Sequence, residues 1–311
     1  MRLVGLPLLL VVTACFRGDA PAPPVSPAAP APTPRSACGS DDVVAPVVDP
    51  SPEGRLRSHV DGVLSGAGGR TWIGPAVPAA IPTRLGTLEL FVLDRADGGS
   101  LALYREPYGL TSCQLGTADN CAYEVRHYDR RGQLRWALPM EALLSRPDQL
   151  EIQDVRLAGG ILYFNEACQG YAHDAGGACS ALVAYDPRAR EVRWRTAPLV
   201  SNGRFVVRGC HVITGYGFTA ELDAVKLVNR ATGQVRQTVL VSSSPERYRL
   251  DEVGLLEVTL YSGAIRTYRL DGITGPAARL VDLGPPEPGY GGSAYGGSAY
   301  GGPAVLAPAV P

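Results

Sequence analysis

Lysine is almost missing from this chain: Lys226 is the only one, and arginine supplies the rest of the basic charge. Nor is there an excess of either sign. Lys and Arg total 29 against 30 Asp and Glu, a formal net charge of -1, so no basic field points to nucleic acid or to a strongly acidic partner. The seven cysteines are too few for a small disulfide scaffold at 311 residues, a length that allows one large domain or two small ones. Histidine is scarce and scattered (His59, His127, His173, His211). No Gly-x-Ser-x-Gly elbow, His-Glu-x-x-His helix or phosphate loop occurs. Helical periodicity is missing too: between Gly86 and Gly284 only Met140–Ser145 offers a short helical possibility.

What is present begins at the amino terminus. Arg2 precedes an apolar stretch, Leu3–Val12, that is too short for the roughly 20 residues of a membrane span. It ends in Val12-Thr13-Ala14-Cys15, which resembles the lipobox of bacterial lipoproteins. The resemblance implies that residues 1–14 are a signal peptide removed before Cys15, whose thiol takes diacylglycerol. Several acyl chains, palmitate among them, then anchor the protein to a membrane. Phe16 stands where an enteric inner-membrane retention signal would place Asp, so the outer membrane of a bacterial envelope is the expected location. The alternative is an ordinary secretory signal with Cys15 incidental.

Residues 15–37 are rich in Pro and Ala and read as an extended tether reaching up to about 60 Å. Residues 285–311 form a Gly/Tyr/Pro-rich tail in which Tyr-Gly-Gly-Ser-Ala repeats at Tyr290 and Tyr295 and varies at Tyr300. This composition reads as a solvated, disordered tail, with an aromatic adhesive segment as the other reading. The folded domain is then 38–284.

Inside it, strand-type runs recur with turn signals every 8–12 residues. Self-similarity is clearest where a third strand turns into a fourth. The copies are Val125–Trp136, Leu182–Trp194 and Val225–Gln237, with Tyr268–Gly272 a degenerate fourth. In each, alternating apolar residues bury one face. Asp or Asn then folds onto the turn backbone, and Gly supplies positive φ. A large aromatic in the outer strand covers the neighbouring unit. A period near 40 residues predicts a propeller-type array. The expected fold is therefore all-β, a small or incomplete β-propeller of about four to five four-stranded blades. Units are expected at 85–140, 149–199, 203–241 and 247–283. An open stack or a β-sandwich of meanders is the alternative.

These repeats resemble the propeller repeats of quinoprotein (PQQ-dependent) dehydrogenases, on Asn229, Thr232 and Gly233 for the turn and on Asp129, Gly132 and Trp136 for the whole unit. The resemblance implies fold and little else. Gln237 replaces the expected Trp, and no adjacent Cys-Cys pair occurs, so no quinone or other cofactor, calcium or catalytic residue is carried over.

Export permits disulfides. With Cys15 lipidated, the repeat pairs Cys113 with Cys121 and Cys168 with Cys179, each across the loop between second and third strands, and elimination leaves Cys38 with Cys210. Neither local spacing suits a metal. Gly215-Tyr216-Gly217-Phe218-Thr219-Ala220 fits a dinucleotide fingerprint formally, but strands flank it on both sides and the match reads as coincidence. The candidate ligand-binding residues are Glu166, Tyr171, His173 and Asp174, in and beside the Cys168–Cys179 loop. Polar residues in a solvated loop are the plainer reading. The expected role is a non-catalytic scaffold binding another envelope protein or a surface polymer, with no metal and no nucleic acid. The alternatives are an extracytoplasmic carbohydrate-active enzyme, which needs inward-pointing carboxylates at the axial mouth, and a solute receptor.

Overall fold

The structure is a computed structural model and describes residues 77–284, except 97, 108–120, 148–149, 169–170, 218–220, 273–274 and 276. The expected signal peptide, tether and tail, with Cys15, Cys38 and Cys113, lie outside the described residues. Four antiparallel sheets follow one another along the chain. The first holds β1 (Arg84–Leu85), β2 (Leu88–Ala96), β3 (Gly99–Arg105), β4 (Tyr123–Asp129) and β5 (Leu134–Pro139). A single 3-10 turn at Glu141–Leu143 leads to the second, with β6 (Leu150–Glu151), β7 (Val155–Ala158), β8 (Ile161–Cys168), β9 (Ala181–Asp186) and β10 (Glu191–Arg195). The third is β11 (Phe205–Arg208), β12 (His211–Tyr216), β13 (Ala224–Asn229) and β14 (Val235–Leu240). The fourth is β15 (Pro245–Leu250), β16 (Leu255–Leu260), β17 (Ile265–Asp271) and β18 (Arg279–Gly284).

The sheets stack as blades. The first long strands touch in sequence, β2 on β7, β7 on β11 and β11 on β15. Burial falls from these inner strands to the outer β5, β10 and β14, which alternate or face solvent. One apolar cluster fills the space between the first two sheets (Val92, Leu103, Val155, Phe164), another lies between the second and third (Tyr163, Ala184, Phe205, Val228), and another between the third and fourth (Ile213, Leu227, Val258, Tyr268). The second and third sheets thus bury both faces against different neighbours, which a two-layer sandwich does not do. The protein has an all-β, propeller-type fold of four blades among the described residues.

The turn chemistry holds in three of the four copies. Asp129 Oδ1 accepts the Arg131 and Gln133 amides at 2.8 and 2.9 Å. Asp186 Oδ1 takes those of Arg188 and Ala189, and Asn229 Oδ1 those of Ala231 and Thr232. In the degenerate fourth copy, Asp271 pairs with Arg269 and Arg279 instead.

The outer strands share a device that the linear pattern does not display. The register of β4–β5, β9–β10 and β13–β14 slips by one residue, leaving Arg135, Arg193 and Arg236 unmatched. A bulge of this kind re-aims the side chain that follows it. Trp194 is turned onto the next blade, where Nε1 donates to Arg230 O at 3.0 Å. Gln237, in the position of the missing Trp, reaches the next blade through its amide: Nε2 donates to Leu280 O at 2.9 Å, and Oε1 accepts Leu280 N at 2.7 Å. Trp136 packs into the cluster between the first two blades.

Cys168 and Cys179 form a disulfide, with Cα atoms 5.0 Å apart, across the β8–β9 loop. Cys121 and Cys210 are also disulfide-bonded. Opening the first bridge with Cys168→Ser/Cys179→Ser removes a short-loop constraint from the unfolded chain. A loss of about 3 kcal/mol in urea unfolding is expected on the chain-entropy account.

Candidate functional site

The β8–β9 loop projects from the second blade and is held at its base from both sides. The Arg146 guanidinium donates to Ala175 O at 3.0 Å, and Glu221 of the third blade accepts the Ala172 amide at 2.8 Å while Tyr216 OH donates to its other oxygen. On this base Tyr171 and His173 stack, ring centroids 5.5 Å apart, and His173 Nε2 lies 3.0 Å from Asp174 Oδ1. His173 and Asp174 are exposed at 76% and 63%, so the pair meets solvent or a partner directly. Glu166 is not part of this group. It is 1% exposed, and its carboxylate accepts the Ser145 amide at 2.7 Å and the Arg195 guanidinium at 2.9 and 3.0 Å. That clasp fixes the link between the first two blades.

A second polar constellation lies on the inner strands. The first strand of the second blade breaks between β6 and β7, and the freed amides of Gln153 and Asp154 donate to Asn165 Oδ1, both at 3.0 Å. Asn165 Nδ2 in turn donates to Gly203 O at 2.5 Å. Asp154 Oδ1 accepts Val155 N at 3.0 Å and the Arg156 guanidinium at 2.7 Å, and its Oδ2 accepts the Phe205 amide of the third blade at 3.0 Å. Arg156 also faces Asp94 of β2 at 3.6 Å. Two carboxylates from adjacent blades therefore share one guanidinium at the inner strands. Sequence reasoning missed Asp94, Gln153, Asp154 and Arg156, and placed Asn165 only as a polar neighbour of the Cys168–Cys179 loop. The available signal was polar: Gln153-Asp154 inside an apolar strand pattern, with Asn165 in the middle of β8.

Burial pushes the Asp154 carboxyl up to about 6, against the opposing pull of Arg156, the Phe205 amide and Arg204, with Asp94 adding to the rise. Asp94 is raised too, by burial first, with Arg156 pulling it back. Between the ordinary value of 3.8 and about 6, the folded chain keeps a proton on Asp154 that the unfolded chain has released. This group's contribution to stability therefore declines as pH rises through that window, by up to about 3 kcal/mol. Urea unfolding at several pH values from 4 to 7 should show that slope in the wild type and its loss in Asp154→Asn.

The glycines of the formal dinucleotide fingerprint are packing positions. A Cβ on Gly215 would stand 2.3 Å from Tyr248 OH, and one on Gly217 would stand 1.9 Å from Asp223 Oδ1. Gly215 and Tyr216 end β12. His127 lies beside Trp136 at 5.5 Å, and His211 is fully buried on β12. Among the described residues, no group of three or more His, Cys, Asp or Glu is arranged to hold a metal ion. No described helix is long and apolar enough to cross a membrane.

No family model matches the chain. No curated protein matches it in sequence. Among solved structures, a protein of unknown function from Bacteroides caccae is 14% identical with a TM-score of 0.37, covering 63% of this chain and 61% of its own. BamB from Moraxella catarrhalis is 13% identical with a TM-score of 0.37, covering 70% of this chain and 54% of its own. The WD40 repeats of RRP9 are 8% identical with a TM-score of 0.36, covering 62% of this chain and 66% of theirs. The chain thus spans less than two thirds of the length of these structures. The blade assignment rests on the sheets described above.

Proposed function

We propose that the protein is a lipid-anchored cell-envelope scaffold: a signal peptide at 1–14, acylation at Cys15, a tether at 15–37, a propeller-type domain at 38–284 and a tail at 285–311. Its platform binds another envelope protein or a surface polymer. The observation that carries the binding role is the β8–β9 loop, braced by Arg146 and Glu221 and closed by a disulfide, which holds Tyr171, His173 and Asp174 outward on a fixed base. A preorganised loop with an aromatic and two polar groups needs little ordering on association. The inner carboxylates support the same reading, because the hydrogen bonds of Asp154 and Glu166 go to neighbouring backbone and arginines.

A photo-cross-linker at position 173 in intact cells, followed by mass spectrometry, should capture one defined partner, and the capture should vanish when the linker is moved to position 236. Hydrolase, lyase or oxidoreductase turnover abolished by His173→Ala would overturn the scaffold reading. Acyl labelling of wild type against Cys15→Ala tests the anchor. Unlabelled wild-type protein would defeat it.

A further inference from the structure

We propose that the end of the blade stack formed by the β4–β5 and β9–β10 turns docks on the phosphate groups of an anionic lipid bilayer, an inference that rests on the envelope location above. The register brings these turns to one end. In the first blade, Gly99 pairs with Ala96 across the β2–β3 hairpin and with Asp129 at the start of the β4–β5 turn. In the second, the β7–β8 hairpin (Ala158 with Ile161) and the β9–β10 turn (Asp186 with Glu191) close the same end. The inner strands β2 and β7 touch, and each runs towards its own hairpin. Asp94 and Arg156, each a few residues before those hairpins, face each other, so the two blades present this end together.

The two turns expose Arg130, Arg131, Arg188 and Arg190. Their guanidiniums have no ion pair or hydrogen bond among the described residues. Among the described residues, the carboxylates of these two turns are engaged. Asp129 binds its own turn amides and the bulge residue Arg135 at 2.7 Å, and Asp186 does the same with Arg193 at 2.6 Å. Each bulge arginine cancels a turn carboxylate and leaves the turn arginines uncompensated.

Arg190 adds an independent observation. It ends its turn at φ 56°, the left-handed conformation that glycine takes in the equivalent turns at Gly132 and Gly233. An L side chain is strained there. The chain accepts this strain and places a guanidinium at the tip of the turn.

Guanidinium forks match phosphate oxygens, and each arginine near an anionic bilayer adds to the attraction. In this orientation the β8–β9 loop, at the opposite end of its blade, faces away from the membrane. The surface therefore sets the direction in which a tethered domain presents Tyr171, His173 and Asp174.

The test uses the mature chain with Cys15→Ser, so that no acyl chain carries it to lipid. Cosedimentation is measured with vesicles of phosphatidylcholine alone and with 30 mol% phosphatidylglycerol. Binding is expected only with phosphatidylglycerol, with loss at high salt as screening shortens the field. Changing the four arginines to Gln should weaken it at least tenfold, whereas changing Arg84, Arg247 and Arg266 to Gln, which their pairings with Glu89, Thr259 and Val258 place towards the other end, should alter it less than threefold. Equal loss from both sets would overturn the proposal. So would failure to bind phosphatidylglycerol vesicles, and a protein then captured by a cross-linker at position 188 would assign the surface to a protein partner instead. Acyl labelling of the wild type is read separately, so the anchor can stand where this surface fails.

Discussion

Asp154→Ala is expected to lower stability by about 3 kcal/mol, and the melting temperature by roughly 6–12 °C for a domain of this size. The carboxylate is fully buried and satisfies Val155 N, Phe205 N and Arg156 at once. Truncation takes this acceptor from two buried amides and from Arg156, and weakens the seam between the second and third blades. Asp186→Ala is the matched comparison. Asp186 also accepts two backbone amides, but at the surface, where water replaces it, and a loss of about 1 kcal/mol is expected. Thermal unfolding of both variants near pH 7 reads the difference. Equal shifts would show that Asp154 joins nothing that solvent could not.

The second large effect is at Gly233. It sits at φ 73°, and a Cβ there would stand 2.6 Å from the Trp194 ring. Gly233→Ala therefore combines backbone strain with displacement of the indole that links the second blade to Arg230 O. About 2–3 kcal/mol is expected. Gly160 has nearly the same φ, 75°, but open space where its Cβ would be, so Gly160→Ala isolates the backbone component at about 1 kcal/mol. In a Trp194→Ala background the Gly233 penalty should fall towards that of Gly160, because the clashing ring is gone. A double-mutant cycle in urea measures this coupling.

The parts of the fold that were readable in advance are those set by neighbours in sequence. Asp129, Asp186 and Asn229 cap turns within four residues of themselves, so the turns and the strands around them could be placed from the chain alone. Trp194 was expected to cover the next unit and does so. Gln237 read as a departure from the pattern, yet it makes the same forward reach with an amide in place of an indole.

Glu166 shows where this reading ends. Strand β8 is covered on both faces, so it lacks the alternation that would separate an inward from an outward carboxylate. Its partners Ser145 and Arg195 are more than twenty residues away in either direction. The break between β6 and β7 was hidden for a similar reason: the group that accepts its amides, Asn165, lies on the adjacent strand. Of the loop residues, Tyr171, His173 and Asp174 come together because they are adjacent in sequence.

The links from the second and third blades run forward along the chain. Asp154 needs Phe205 N, Asn165 needs Gly203 O, Trp194 needs Arg230 O, and Gln237 needs the Leu280 backbone. A nascent chain that ends after β10 therefore carries a buried-type carboxylate and an indole with nothing yet synthesised to receive them. Removing the fourth blade is therefore expected to cost more than its own contacts, because the Gln237 amide and the apolar faces of Ile213 and Leu227 lose what covers them.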